Sequence, residues 1–401
     1  MSANIELNRK LLEDMAEIHG EELEDFLPKW MEATEIVGLS DDDIKYAIEY
    51  WIPAHWDIKF KGIRMMISGF FHELVDCAFT KKTKAEGKNV IYGLIPSVPL
   101  AYYAMRETDP DAYIAFPDLI LVNTINSFFH NAGPFLNYAE ELGFTYGCRH
   151  CPLNKMRMSA FAKGILAAPT VMWSWGFNCD EAPKTDEMIQ CIINENWNAL
   201  ACRAPHDTKF GFADDNPERI QYVAKTLKED LDKIEELTGI KLTDEALRKA
   251  QSKLQRYAFK YGQLVSTVSK ADPVPLGGNA LTQFAMPYAV GFNNAFNYFE
   301  PAIDVLLKEL RSEIKAGSGI VPKGAPKVGS YFVPFCVPWV DRIFRENGVA
   351  TTFSLTMTPS KSQLSPTAYP DDMYLNLAEA WLRFPLGQNM GYEVESMVEK
   401  V

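Results

Sequence analysis

Short apolar runs that alternate with amphipathic helical stretches between Lys88 and Trp173 constrain this chain more than any other feature. Lys88-Asn-Val-Ile-Tyr-Gly-Leu-Ile-Pro96 is an apolar run bounded by polar and turn residues, and an amphipathic helix follows it through Met105. Asp118–Asn123 and Ala167–Trp173 are further strand candidates, with a helix over Pro134–Leu142 between them. Alternation of this kind predicts an α/β fold, a parallel sheet with helices on both faces.

The flanking segments read differently. Residues 1–84 are helical: Leu11, Leu12, Met15 and Ile18 recur at helical spacing, Ser40 is a suitable N-cap, and the series Trp51, Trp56, Phe60, Met65, Met66, Phe70, Phe71 suits packing or a subunit contact. Residues 85–215 form the α/β domain with most of the cysteines. Residues 216–325 turn to long charged helices, with Val223, Leu227, Leu231, Ile234 and Leu237 on one face, a break at Gly239 and a new start at Thr243. A linker over Asp272–Gly278 and a helix over Phe299–Lys315 follow. Residues 326–401 open a second α/β domain with a strand over Lys327–Phe335, a helix over Trp339–Asn347 ended by Gly348, and a strand over Val349–Leu355. The expected architecture is two Rossmann/flavodoxin-like parallel-sheet domains with helical N-terminal and middle segments, and 401 residues suit more than one core. Two strands are few for a sheet, which usually has about four to six. The second domain is therefore expected to be incomplete, or completed by a partner.

Charge and cysteine usage narrow the function. A net charge of −13 with no basic stripe excludes nucleic acid as a partner. The polar, acidic start and the lack of any run of 18 apolar residues predict a cytoplasmic protein that does not enter the membrane. Seven cysteines, an odd number in such a chain, argue for reduced thiols rather than a disulfide framework. Four of them, Cys148, Cys151, Cys179 and Cys191, fall close together.

Within that segment stand Gly147-Cys-Arg-His-Cys-Pro-Leu-Asn-Lys155 and Gly176-Phe-Asn-Cys-Asp-Glu-Ala-Pro-Lys184. Cys151 and Cys179 each follow a short apolar or aromatic segment and precede a helix, where a positive helix N-terminus stabilises thiolate. Equivalent loops of one sheet would bring them to one point and suit a soft iron site. Cys148-x-x-Cys151 alone also admits a redox pair, half a zinc site or chance. Cys77, Cys191 and Cys202 read as buried inert thiols. Nucleophile-elbow, Walker A and dinucleotide-binding motifs are absent.

From about Lys88 onward these residues resemble the family of 2-hydroxyacyl-CoA dehydratase and class I benzoyl-CoA reductase subunits. Ile95-Pro-Ser97-Val-Pro99 is similar to the family's turn beside the bound thioester, which implies a substrate contact for Ser97. Asn137–Phe144 leading into Cys151-Pro-Leu-Asn-Lys155 resembles the first cluster-cysteine segment, and Cys179-Asp180 with Lys184 and Glu187 the second. The third cluster cysteine of the family lies beyond the point where this sequence ends; Cys336, Cys148, a non-cysteine ligand and a partner's residue all stay open. The resemblance implies a [4Fe–4S] cluster, an acyl-CoA thioester substrate, a related second subunit and an ATP-hydrolysing iron–sulfur activator. It implies an oxygen-sensitive dehydratase, in which one electron turns the thioester carbonyl into a ketyl radical and makes loss of the 2-hydroxyl feasible. The alternatives are a subunit of a benzoyl-CoA-type reductase and a non-catalytic scaffold or electron-transfer subunit.

Overall fold

The computed structural model of the chain describes residues 4–93, 99–144, 150–175, 181–202, 217–330, 337–354, 358–359 and 365–383. The N-terminal part holds α1 (Ile5–Ala16), α2 (Gly20–Val37), α3 (Asp41–Tyr46), a π-helical turn (Ala47–Trp51), α4 (Ile52–His55), α5 (Lys61–Ala78) and α6 (Thr80–Ala85). Local capping sets the ends: Asn4 accepts the Leu7 N–H at 3.1 Å, and Ser40 and Asp43 close a reciprocal capping box before α3.

The first sheet is built from β1 (Val90–Gly93), α7 (Pro99–Thr108), β2 (Tyr113–Ala115), α8 (Pro117–Leu121), a second π-helical turn (Val122–Asn126), α9 (Ser127–Phe129), α10 (Gly133–Glu141), α11 (Pro152–Ala162), β3 (Val171–Trp175), α12 (Glu181–Ile192) and β4 (Ala199–Cys202). Its four strands are parallel in the order β2-β1-β3-β4, with Ile91 between Ile114 and Val171. Asp118–Asn123 corrects the sequence expectation: it is α8 running into the π-helical turn, not a strand. The run Leu119-Ile-Leu121 is buried throughout, so it carries no period to separate helix from strand, although Pro117 at the first helical position marks a helix start. The strand there is β2, only three residues long.

Helices α13 (Pro217–Thr238), α14 (Asp244–Lys270), α15 (Gly278–Ala289) and α16 (Ala295–Ala316) follow, then β5 (Lys327–Ser330), α17 (Pro338–Glu346), β6 (Ala350–Ser354) and α18 (Met373–Leu382). Strands β5 and β6 pair in parallel and are the two strands of the second sheet among the described residues. Helix α15 has every residue buried, which hid it from a reading by amphipathic period. No described helix is long and apolar enough to cross a membrane.

One hydrophobic cluster runs from Leu11 to Leu382. Trp51 and Trp56 of the aromatic series both donate their indole N–H to the Ser127 carbonyl, at 2.9 and 3.1 Å. Cys77 is buried, and burial raises its thiol well above the ordinary range. Cys191 is exposed, contrary to expectation, because the buried face of α12 is formed by Ala182, Thr185, Asp186 and Ile189. The Cys202 side chain lies outside the described residues.

Helices α5 and α16 meet at Gly62. A Cβ there would fall 2.5 Å from Leu306 Cβ and 2.8 Å from the Ala302 carbonyl oxygen, so only glycine permits this approach. Gly62→Val is expected to force the helices apart and lose about 1–3 kcal/mol of stability, measured as a lowered urea midpoint. An unchanged midpoint would show that the contact yields freely.

Candidate functional site

In a parallel sheet of order β2-β1-β3-β4, the connections after β1 and β3 leave toward opposite sides, and ligands bind in the crevice outside the carboxyl ends of such strands. The segments following β1 and β3 carry Ser97 and Cys179. Both residues lie outside the described positions, as do Cys148 and Cys336. The crevice is therefore characterised by the residues that border it.

Strand β1 ends at Gly93, where a Cβ would fall 1.9 Å from Phe116 Cε1 and 2.6 Å from Tyr102 Cε1. The two rings pack directly on the backbone, and the Tyr102 hydroxyl donates to the Trp173 carbonyl on β3 at 2.5 Å. The carboxyl ends of the two central strands are thus locked together by aromatic side chains.

Cys151 is the N-cap of α11, with Pro152 at the first helical position and the Lys155 N–H bonded to the Cys151 carbonyl at 3.1 Å. It is partly buried. Burial raises its thiol pKa, the nearby N–H groups of Leu153 and Asn154 in the first turn of α11 oppose that, and the charges of Glu181 and Asp118 raise it further. At neutral pH the sulfur keeps its proton unless a cation replaces it. A shielded thiol at the start of a helix fits one ligand of a soft metal centre. Among the described residues, no three His, Cys, Asp or Glu side chains are grouped to hold a metal ion.

The backbone N–H of Cys151 donates to both carboxylate oxygens of Glu181, at 2.8 and 2.9 Å. Glu181 is the first residue of α12 and stands two positions after Cys179 in the chain. His150 Nδ1 lies 3.0 Å from Glu181 Oε1 without forming a hydrogen bond, and its ring packs on Phe144 with centroids 4.6 Å apart. The sequence singled out neither Glu181 nor His150 for these roles. The available signal was an acidic residue opening a helix, where the macrodipole favours it. Lys184 and Glu187, which the sequence did single out, are on the exposed side of α12.

Beneath this clamp, Arg157 of α11 is fully buried between Asp118 of α8 and Asp186 of α12, with N–O separations of 3.5 and 3.3 Å. Arg157 also donates to the Ala182 carbonyl at 3.3 Å, and the Trp197 indole N–H donates to Asp186 at 3.1 Å. Burial raises both carboxyls while Arg157 opposes the shift; Asp118 is raised to about 6. Lys155, nearly buried, pairs with Glu140 of α10 at 2.7 Å.

A buried neutral polar cluster lies where the π-helical turn Val122–Asn126 meets α15. The Gln283 amide donates to Asn123 Oδ1 at 3.3 Å. Asn123 Nδ2, Thr124 Oγ1, both polar atoms of the Asn279 side chain, Thr282 Oγ1 and Gln283 Oε1 have no hydrogen-bond partner, in residues at most 1% exposed. Helix α15 carries three of these residues from the second sheet, where the Gly278 N–H donates to Thr351 Oγ1 at 2.9 Å, to α7, where the Tyr103 hydroxyl donates to the Pro287 carbonyl at 2.7 Å. Each unmet atom costs about 1–3 kcal/mol, so ordered water or the polar group of a ligand is needed there.

The family model described as 2-hydroxyglutaryl-CoA dehydratase, D-component, matches residues 120–400, more than two-thirds of the chain. The match includes Cys148, Cys151, Cys179 and Cys336 and begins after Ser97. No curated protein matches the chain.

Removing the buried cation should be costly. Arg157→Met is expected to lose about 3–5 kcal/mol, since it strands two buried carboxylates. Asp118 titrates near about 4 in the unfolded chain and about 6 in the folded one, so the folded state holds more protons in that window and loses stability as pH rises through it. Asp118→Asn lacks this loss and should gain on wild type between those pH values in urea titrations. Parallel pH profiles would contradict the assignment.

Proposed function

The chain belongs to the 2-hydroxyglutaryl-CoA dehydratase D-component family, and from that premise we propose that it is the iron–sulfur subunit of an oxygen-sensitive enzyme that eliminates water from a 2-hydroxyacyl-CoA thioester. The observation that carries the reading is the tie between the Cys151 N–H and Glu181. It joins the cysteine at the start of α11 to the segment that follows Cys179, at the carboxyl edge where α/β sheets bind their ligands.

Cys151 and Cys179 would hold a [4Fe–4S] cluster, with the remaining ligands drawn from Cys336, Cys148, another residue or a partner. When bound, such a cluster supplies single low-potential electrons to the thioester. The chain's own residues do the rest. The N–H groups of Leu153 and Asn154 stabilise the Cys151 thiolate, and Glu181 fixes the backbone on which it is mounted. The aromatic seal of Tyr102, Phe116 and Trp173 keeps water from the sheet edge. Ser97, in the segment that follows β1 in the chain, would contact the thioester, and Asn279, Thr282 and Gln283 offer neutral donors and acceptors to the acyl group. In this reading the protein works in the cytoplasm with a related second subunit and an ATP-hydrolysing iron–sulfur activator.

Iron and acid-labile sulfide in anaerobically purified protein test the reading. About four of each per chain is expected in the wild type, with loss in Cys151→Ala and in Cys179→Ala. A wild type without iron would refute it, and net uptake of electrons into product would reassign the reaction as a reduction.

A further inference from the structure

Among the described residues, four of the eight exposed large apolar side chains come together at one place: Tyr46 and Tyr50, 40% and 48% exposed, and Trp339 and Ile343, 46% and 50% exposed. The two tyrosine rings are 5.4 Å apart along α3 and the π-helical turn Ala47–Trp51. Arg342, which stands between Trp339 and Ile343 in α17, donates to the Tyr50 hydroxyl and joins the two pairs into one patch. Helix α17 is inverted for a helix on a closed surface. Its inner side holds Asp341, 2.7 Å from Arg345, and Arg345 grips Asp57 at 3.0 and 2.8 Å, while its tryptophan and isoleucine face outward. Contiguous exposed Tyr, Trp, Ile and Arg side chains are the makings of a protein interface.

The charges of the patch name the occupant. Arg342 pairs with Glu346 at 2.7 Å within α17. Lys45 and Glu49, beside the two tyrosines, are exposed and four residues apart, yet neither has an ionic partner among the described residues. That spacing closes an ion pair in an α-helix, and the π-helical turn that begins at Ala47 opens it here. Asp42, one turn earlier, stands exposed at the rim. Two copies crossed antiparallel over this helix set Lys45 of each opposite Glu49 of the other, twice over, as an isologous contact requires. A chain of net charge −13 repels its copy over most of its surface, and this patch offers each anion a cation. The same net charge disfavours an anionic membrane as the occupant.

We propose that this patch is the contact between two copies of the chain in solution, with Tyr46, Tyr50, Trp339 and Ile343 of each copy seated on the other. The assignment is independent of the reaction proposed above. Trp51, Trp56, Phe60, Phe70 and Phe71 of the aromatic series are buried within the chain, so the subunit contact falls to their exposed neighbours. Because the patch takes in both the N-terminal helices and α17, dimerisation covers the seam that Arg345 and Asp57 hold together.

Sedimentation velocity of the full chain, purified anaerobically, tests this through a charge swap. The wild type is expected to sediment at twice the mass of one chain. Lys45→Glu and Glu49→Lys each set like charges against one another at both ends of the contact and should weaken the dimer about tenfold. Mixing the two single variants, or combining both changes in one chain, restores opposite charges across the contact and should restore wild-type association. Trp339→Glu, at an exposed position in the first turn of α17 where the fold tolerates an acid, should leave a monomer. Recovery in the double variant shows that the single variants are folded. A wild type that stays monomeric at micromolar concentration overturns the proposal, as does a dimer that Trp339→Glu and both single swaps leave unmoved. Single variants that lose the dimer and do not recover it on mixing refute the antiparallel contact. A chain that is monomeric alone and covers this patch only with a different subunit refutes it as well.

Discussion

Arg157 stands without solvent contact between carboxylates from two other helices, and the geometry of the sheet's carboxyl edge depends on it. A buried guanidinium between buried carboxylates adds little net stability over an apolar core of the same shape, yet it permits few alternative arrangements, because any shift leaves a charge unmet. That rigidity reaches the surface. Asp118 fixes α8 and the π-helical turn, Asp186 fixes α12, and Arg157 fixes α11, so Cys151 at one helix start and Glu181 at another meet through hydrogen bonds of 2.8 and 2.9 Å.

The electrostatics at that meeting point are opposed. Burial and two nearby carboxylates disfavour a Cys151 thiolate, while two backbone N–H groups favour it. A free thiol is the outcome in water, and a bound cation reverses it. The same balance explains why the position is unsuited to a nucleophile and suited to a metal ligand: a nucleophile needs the thiolate in the absence of a partner, whereas a ligand needs it only when the partner arrives.

Much of the fold was legible in the sequence. Strands β1, β3 and β6 and helices α3, α13 and α14 follow from apolar runs, caps at Ser40 and Thr243, and the break at Gly239. Strand β2 was not legible because three residues carry no period, and α8 was misread because its neighbours bury every side. Helix α15 escaped for the same reason. The cysteine clustering pointed to Cys151, which the structure places at a helix N-cap, and the family resemblance is matched over residues 120–400. The residues that position it could not be read. Arg157, Asp118, Asp186 and Glu181 are ordinary charges in sequence and acquire meaning only when helices distant along the chain are packed side by side.

The most direct measurement is the convergence of Cys151 and Cys179 in the metal-free protein, probed with a trivalent arsenical that binds only where two thiols face one another. One arsenic bridging the two cysteine peptides per chain, absent in Cys151→Ala, is the predicted result. Two thiols that alkylate independently and take up no arsenic would contradict the account, because the Glu181 tie would then fail to bring the second cysteine to the first.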